Sequence, residues 1–345
     1  MKSKYYEELD ISRGIAIIGV VIIHTSSLYL SRFYIESLWI INHMARFSIP
    51  LFIMISGFLH KDVSNGNEGT FKLQINYILK RARRIMLPYL LFSIVYMIIR
   101  VVIENTPHIR SFVPLHFNSP ISIFQAIFLV KGNPAGHLYF LPLLFFVFLT
   151  FTLLTIIFQR KNLILSICIL VSCLSYYFAG DIYLSINPLK GLVFYALGYT
   201  IKDSLYFDTR YNSNRYLLLF SMLFVICLMA YSYNFIFLNK IVFTFGSELF
   251  GALSMYLFAL KLSGMRFAFI KSFLKKIGQY SFDIYLLHEP YIVTVIFIVF
   301  AKISIVNVFV NQSILLLLGM LIPFLLSYHW LRNIKIYRHY FLGLQ

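Results

Sequence analysis

Residues 11–31 read ISRGIAIIGVVIIHTSSLYLS, a stretch that is apolar apart from one arginine, one histidine and small hydroxyl residues. A helix needs about 20 mostly apolar residues to cross the hydrocarbon core of a bilayer, and this stretch is long enough. Further segments meet that requirement or come close to it: 38–60, 84–104, 137–158, 163–180, 184–202, 215–233, 239–262, 280–302 and 311–333. The pattern predicts an all-α fold, a polytopic transmembrane helix bundle of about ten helices. The sixth segment is the least regular, because Asn187, Pro188 and Lys190 interrupt its start.

The composition excludes a water-soluble protein. The chain is 60% hydrophobic and 12% charged, whereas an average soluble domain is about 25% charged. The formal net charge of +17 does not indicate a nucleic-acid-binding protein, because the cations are scattered among short connectors and do not gather on one face. Cys168, Cys173 and Cys227 lie inside apolar runs without metal-ligand or disulfide spacing, so we expect them to serve in packing.

Connectors that are rich in lysine and arginine alternate along the chain with connectors that contain few of these residues. Most of the 30 such residues fall in one set of alternate connectors, which includes both chain ends. Because positive residues are retained on the cytoplasmic side, we predict that both termini are cytoplasmic. The first apolar run has no small-residue cleavage site after it, which indicates a retained helix. We expect residues 1–345 to form a single transmembrane domain without an appended soluble domain.

Ionisable side chains inside the apolar spans are the main functional signal, since each costs about 2.5–3.5 kcal/mol at the centre of a membrane helix. Arg13 and His24 are eleven residues apart, close to three helical turns, so they share one face about 16 Å apart along the axis. Arg13 would lie at the inner boundary and His24 near the middle of the bilayer. The alternative is structural: Arg13 extends its charged end to the interface, and His24 bonds to a neighbouring helix.

Further cations occur in and before the next two spans. Arg46 lies in an apolar run, and Gly57 near the end of that run permits close approach of another helix. Arg81, Arg83 and Arg84 precede or open the third span, where cytoplasmic retention of positive charge explains part of the cluster. Arg81 and Arg84 are three residues apart, so they share a face and could grip a phosphate bidentately.

Polar residues also open the fourth span and interrupt the ninth. His137 and Tyr139 begin the fourth span at its predicted outer end, where a tyrosine can also serve only as an interfacial anchor. In the ninth span His288 and Glu289 precede Pro290. Proline deprives a backbone carbonyl of its usual partner and commonly opens a membrane helix beside a cavity. We expect these side chains to lie near mid-depth.

Taken in order, these residues resemble the sequence pattern of the acyltransferase 3 family of multi-pass membrane acyltransferases. The resemblance spans residues 10–290, and its motifs are fairly specific as a set. They are Arg13-Gly14-Ile15-Ala16 with His24; Arg46 with Pro50-Leu51-Phe52 and Ser56-Gly57-Phe58; Arg81-Ala82-Arg83-Arg84 with Pro88-Tyr89; His137-Leu138-Tyr139-Phe140-Leu141, with Tyr where the family has Trp; and Ser281-Phe282-Asp283-Ile284-Tyr285-Leu286-Leu287-His288.

The resemblance implies transfer of an acyl group, often acetyl, from cytoplasmic acyl-CoA to a hydroxyl of a cell-surface or lipid-linked polysaccharide. It implies a multi-pass protein of the plasma membrane, in a bacterium, with acetyl-CoA as the expected donor substrate and no permanently bound cofactor. The expected partners are the glycan acceptor and membrane lipids. We expect no binding of nucleic acid. We expect no metal site, because the histidines share no short ligand spacing.

This chemistry suggests a role for each candidate residue. His24 would be the catalytic base for the acceptor hydroxyl, or would carry the acyl group transiently, with Arg13 orienting the donor. The residues expected to bind the donor phosphates are Arg81, Arg83 and Arg84. The residues expected to bind the acceptor or relay protons are Arg46, His137, Tyr139, His288 and Glu289.

Two other classes of protein remain open from the sequence. A transporter or exporter of a lipid-linked or polymeric glycan would also need polar groups inside the membrane. Transporters often have inverted repeats with corresponding broken helices, which we do not find in the sequence. A structural or sensory membrane subunit would leave His24 and Arg46 unexplained.

Overall fold

The computed structural model describes residues 5–31, 35–61, 70–105, 119–128, 133–158, 160–179, 187–232, 237–266, 268–303 and 307–342. Within these ranges the chain is almost entirely helical and contains no strand. Nine helical segments of the described chain are long and apolar enough to cross a membrane. The prediction of an all-α, polytopic transmembrane bundle is therefore confirmed.

The described residues contain thirteen α-helices. They are α1 Glu7–Leu30, α2 Glu36–Met44, α3 Ser48–Phe58, α4 Thr70–Asn105, α5 Pro120–Phe128, α6 Phe140–Ile157, α7 Lys161–Ala179, α8 Leu192–Ser232, α9 Phe237–Ser263, α10 Ala268–Gln279, α11 Ser281–Leu287, α12 Val293–Ile303 and α13 Val308–His329. Short helical turns connect or follow several of them: Ala45–Phe47, Gly136–Tyr139, Pro188–Gly191, His288–Ile292, Leu331–Asn333 and Tyr337–Phe341.

The second predicted span is divided into two helices. A tight turn at Ala45–Phe47 joins α2 to α3, and together they form one crossing, Glu36–Phe58. Pro50 lies in the first turn of α3, where its missing N–H interrupts no helical hydrogen bond. The division places Arg46 in the turn between the two helices.

The sixth predicted span, 184–202, is not found among the described segments that are long and apolar enough to cross a membrane. Pro188 opens a short turn, and α8 begins only at Leu192. The seventh predicted span corresponds to the crossing Asn214–Ser232 at the other end of α8. Both predicted spans thus belong to one helical segment.

Two separate parts of α8 contact opposite ends of the α2–α3 crossing. Lys202 donates to the backbone carbonyl oxygen of His60, beyond the end of α3, at 3.1 Å. Tyr231 stacks on Trp39 of α2, with ring centroids 5.6 Å apart. Different parts of α8 thus lie beside the two ends of the α2–α3 crossing.

The core lies where α1, α3, α6 and α8 meet, and it is rich in fully buried aromatic rings such as Phe148 and Tyr195. Lipid tails are as apolar as these side chains, so helix association in a membrane depends on close packing and interhelical hydrogen bonds. Asn42 of α2 supplies such bonds, donating to the hydroxyls of Ser26 and Ser27 on α1 at 2.9 and 3.0 Å.

The crossing of α3 and α8 depends on Gly57, as the sequence predicts. A Cβ atom at this position would lie 2.0 Å from the backbone carbonyl oxygen of Tyr195. A small residue is needed wherever two helix backbones approach this closely. The neighbouring Ser56 lines the cavity of the candidate active site.

We expect Gly57→Val to lower the thermal stability of the purified protein, because the new side chain overlaps backbone that cannot move aside. Overpacking of this kind costs about 1–3 kcal/mol or more. Gly136→Ala is the matched control, since a Cβ atom there meets nothing within 4 Å. Fluorescence-detected unfolding in detergent measures both variants, and equal midpoints would contradict the close crossing.

Candidate active site

His24 of α1 lies against the interruption between α11 and α12. Its Nδ1 forms an ion-pair contact with Oε2 of Glu289, and the two side chains are 24% and 18% exposed. The backbone of Glu289 is extended, with φ −130° and ψ 155°, within the turn His288–Ile292. The helix interruption expected from Pro290 is therefore present, and it brings Glu289 to α1.

Three histidine rings meet at this point. The ring centroid of His24 lies 5.1 Å from that of His288 and 6.1 Å from that of His137. The rings of His137 and His288 are 5.2 Å apart. His288 is fully buried and His137 is 5% exposed. The fold thus brings together polar residues of the first, fourth and ninth predicted spans.

Hydrogen bonds around the cluster determine which ring nitrogens can react. Nδ1 of His288 lies 2.9 Å from the backbone carbonyl oxygens of Ile284 and Tyr285. Because a carbonyl oxygen only accepts, this Nδ1 carries a proton. Nε2 of His288 and both ring nitrogens of His137 are buried and make no hydrogen bond to the described residues. Buried polar atoms are normally satisfied, so these nitrogens are available to a substrate.

The pair of His24 and Glu289 has the arrangement of a general base with its orienting group. A carboxylate on Nδ1 holds the imidazole in the tautomer whose Nε2 carries the lone pair. It also stabilises the imidazolium that forms when Nε2 takes a proton. The sequence predicted His24 as the base but assigned Glu289 to substrate binding. No local pattern indicates that residue 289 contacts residue 24, so their pairing was missed.

The same residues form the group best suited to a metal ion in the described chain. One ligand atom each from His24, His288 and Glu289 lies within 4.8 Å of the others. Two histidines and a carboxylate are a zinc-type ligand set, but bonds of about 2.0–2.1 Å require ligand atoms only ~3.4 Å apart. The expected absence of a metal remains a prediction, for which a chelator provides the test.

A cavity of about 320 Å³ opens at the end of the bundle that is predicted to be cytoplasmic, and Arg13, Arg81, Arg84 and Arg332 line it. The first three were predicted to act on the donor; Arg332 was missed. Nε of Arg81 is buried without a hydrogen-bond partner among the described residues. Arg13 donates to Asp10 at 2.7 Å, which fixes its guanidinium at the cavity wall. Clustered guanidinium groups favour a phosphate-bearing ligand.

Arg83 does not line this cavity, although the sequence grouped it with its neighbours. Its Nη2 lies 2.8 Å from Nε2 of His339, in the segment that follows α13. Residues three apart share a helix face, whereas residues one or two apart do not. Arg81 and Arg84 therefore reach the cavity together, and Arg83 lies on a different face of α4.

An aromatic wall separates the cavity from the histidines. Tyr285 and Phe140 line the cavity, and their ring centroids are 5.9 Å apart. The hydroxyl of Tyr285 donates to the backbone carbonyl oxygen of His137 at 2.5 Å. His24 is not among the residues that line the cavity. Tyr285 thus contacts both the cavity and the segment that carries His137.

Arg46 and Tyr139 belong to a second polar group, built around Glu248 of α9. Both interact electrostatically with Glu248. The hydroxyl of Tyr176 contacts the same carboxylate, and the ammonium of Lys190 lies 4.6 Å from the centroid of the Tyr176 ring. The sequence signal for this group is a glutamate, Glu248, within the apolar span 239–262.

An all-helical membrane bundle with a histidine–carboxylate pair inside it and an arginine-lined cavity at one end has the parts of a membrane-embedded transferase. The acyltransferase 3 family model, described as an acyltransferase domain, matches residues 6–328. Because this match covers nearly the whole chain, the chain belongs to the acyltransferase 3 family and is a membrane acyltransferase. Searches of curated proteins and of solved structures found no significant match.

We expect Glu289→Gln to lower kcat for acyl transfer by about 10²- to 10⁴-fold with little change in KM, because the amide keeps the size of the side chain but cannot stabilise the imidazolium. Glu7→Gln is the control, since Glu7 is paired with Lys275 at 3.0 Å, away from the histidines. Turnover per folded molecule is the measurement. Equal turnover in both variants would exclude a catalytic role for the pair.

Proposed function

We propose that the protein is an O-acyltransferase that moves an acyl group, acetyl in the first instance, from cytoplasmic acyl-CoA to a hydroxyl of a cell-surface or lipid-linked polysaccharide. The observation that carries the proposal is the His24–Glu289 pair inside the bundle, behind a cavity lined by arginines. Acyl transfer from a thioester to a hydroxyl needs a base at depth and a place for the donor phosphates, and the two sites correspond to these needs.

The donor would bind with its nucleotide phosphates among Arg13, Arg81 and Arg84. Arginine suits this role because its planar fork can donate two hydrogen bonds to one phosphate and it stays charged in any environment. A 320 Å³ cavity is at the small end of the range of about 300–1,000 Å³ that is usual for ligand sites. The thioester end would extend past Tyr285 toward His24.

In direct transfer, Nε2 of His24 removes the proton of the acceptor hydroxyl while the hydroxyl oxygen attacks the thioester carbonyl carbon. The carbon–sulfur bond breaks, and the leaving thiolate takes the proton from the imidazolium. The products are an ester and free CoA. Glu289 stabilises the imidazolium between these two proton transfers.

A two-step route uses the same residues. Nε2 of His24 attacks the thioester and carries the acyl group, and CoA leaves as the thiolate. The acceptor hydroxyl then displaces His24 and leaves its proton on the imidazole, from which the thiolate is protonated. The ester and free CoA are again the products, so the two routes differ only in the covalent intermediate.

The acceptor would enter from the predicted outer side. His137 and His288 offer buried ring nitrogens that make no hydrogen bond within the described chain, and sugar hydroxyls can supply the missing partners. Arg46 and Tyr139 would hold more distant parts of the acceptor. The histidine rings are packed within 6.1 Å of one another, which favours a small acyl group.

The reaction joins a cytoplasmic donor to an acceptor at the outer face, so the enzyme would work in a plasma membrane, in a bacterium in the first instance. No separate soluble domain is needed in this scheme, because donor and acceptor reach His24 from opposite sides of one bundle.

The test is release of free thiol from acetyl-CoA by the purified protein in lipid nanodiscs, with and without polysaccharide acceptors. We expect acceptor-dependent release by the wild type and a loss of at least about 10²-fold in His24→Ala. His329→Ala is the matched control, because His329 is exposed at the end of α13. A chelator should leave the rate unchanged.

Wild-type turnover in a folded His24→Ala variant would contradict the assignment of the base. A folded wild type that binds no acyl-CoA would overturn the enzymatic proposal and favour a glycan exporter. Loss of activity with the chelator, restored by added zinc, would replace the proton-transfer scheme by a metal-dependent one.

A further inference from the structure

The segment that follows α13 completes the donor cavity, although it lies beyond the family match. That match ends at residue 328, yet Arg332 and Leu342 line the cavity. Tyr337 is buried within the same segment. We call residues 331–342 the C-terminal segment. Its residues thus supply part of the cavity wall.

The C-terminal segment is attached to the bundle through Asp283 of α11, whose side chain is fully buried. One carboxylate oxygen accepts from Ser327 at 2.5 Å and from Tyr337 at 3.2 Å. The other accepts from Nη2 of Arg332 at 2.5 Å and from Nε at 3.2 Å. Every lone-pair direction of this carboxylate is thereby directed at a donor, and its negative charge is paired within the cavity wall.

These contacts fix the guanidinium of Arg332 in one orientation. Nη2 also donates to the backbone carbonyl oxygen of Gln279 at 2.8 Å. The guanidinium carbon lies 3.8 Å from the centroid of the Tyr280 ring, so the group is stacked on an aromatic face. Nε and Nη2 are thus occupied, whereas Nη1 makes no hydrogen bond to the described residues.

We propose that Arg332 is a further donor-binding residue, whose Nη1 donates to a phosphate oxygen of the acyl-CoA, and that Asp283 is the positioning residue that orients it. The inference rests on the proposed function, since it assigns part of the same donor site. A guanidinium already held on one side loses little conformational freedom on binding, so its free edge can bind a phosphate tightly. Arg332 would act beside Arg81 and Arg84, which reach the cavity from α4.

The test compares two donors that share the reacting thioester. Acetyl-CoA carries the nucleotide phosphates, and acetyl-pantetheine lacks all of them. For Arg332→Gln we expect KM for acetyl-CoA to rise about 10- to 100-fold, as for loss of a hydrogen bond between charged groups, with kcat nearly unchanged. KM for acetyl-pantetheine should stay at the wild-type value. Arg338→Gln, an exposed arginine of the same segment, is the matched control.

The positioning role of Asp283 is tested by a double-variant comparison. Asp283→Asn should raise KM for acetyl-CoA in the wild-type background and have no further effect on it in the Arg332→Gln background. If Arg332→Gln does not fold, Arg332→Lys replaces it. Lysine keeps the charge but lacks the planar fork, so we expect a smaller rise in KM for acetyl-CoA alone.

Two results with an active wild type would overturn the inference. One is an unchanged KM for acetyl-CoA in the folded Arg332 variants, and the other is an equal rise for both donors, which a structural role alone would produce. A wild type that turns over neither donor would instead overturn the proposed function. The donor comparison therefore distinguishes failure of the inference from failure of the proposal on which it rests.

Discussion

The contact between His24 and Glu289 joins two ionisable groups inside an apolar helix bundle, and much of the architecture serves to bring them together. Each group alone would cost about 2.5–3.5 kcal/mol at the centre of a membrane helix. Pairing them requires the interrupted helix of residues 281–303 to lie against α1. The close packing of α10 on α1 makes this possible: a Cβ atom at Gly278 would lie 1.8 Å from the carbonyl oxygen of Asp10. The chain that enters α11 is therefore already beside α1, and Glu289 reaches His24 once the helix opens.

The aromatic wall at Tyr285 divides the polar interior into two environments with different tasks. On one side, arginines from α1, α4 and the C-terminal segment create a cationic cavity open to the predicted cytoplasm. On the other side, buried imidazoles have ring nitrogens that no described residue satisfies. A ligand with an anionic head and an uncharged reactive arm matches this division, because the charge stays among the arginines and only the arm passes the wall.

The apolar spans and the helical period carry most of what the sequence could predict. They indicated the bundle, the shared face of Arg13 and His24, the close approach at Gly57 and the interruption beside Pro290. What they could not indicate is which helix lies next to which, because that depends on packing between residues far apart in the chain. The pairing of Glu289 with His24, the entry of Arg332 into the cavity and the group around Glu248 are all contacts of this kind. Arg83 shows the same limit on a smaller scale. Its position next to Arg84 in the sequence suggested that it belongs to the arginine cluster, but it lies on a different face of α4 and does not reach the cavity.

The central claim is that His24 and Glu289 act as one catalytic unit, and the most direct measurement is the turnover of the double variant His24→Ala/Glu289→Gln beside the two single variants. Residues that act through one another are strongly non-additive. We expect Glu289→Gln to lower turnover in the wild type but to have no further effect once His24 is replaced. If the two losses instead multiply in folded protein, Glu289 acts independently of His24, and the pair is not the base on which this account depends.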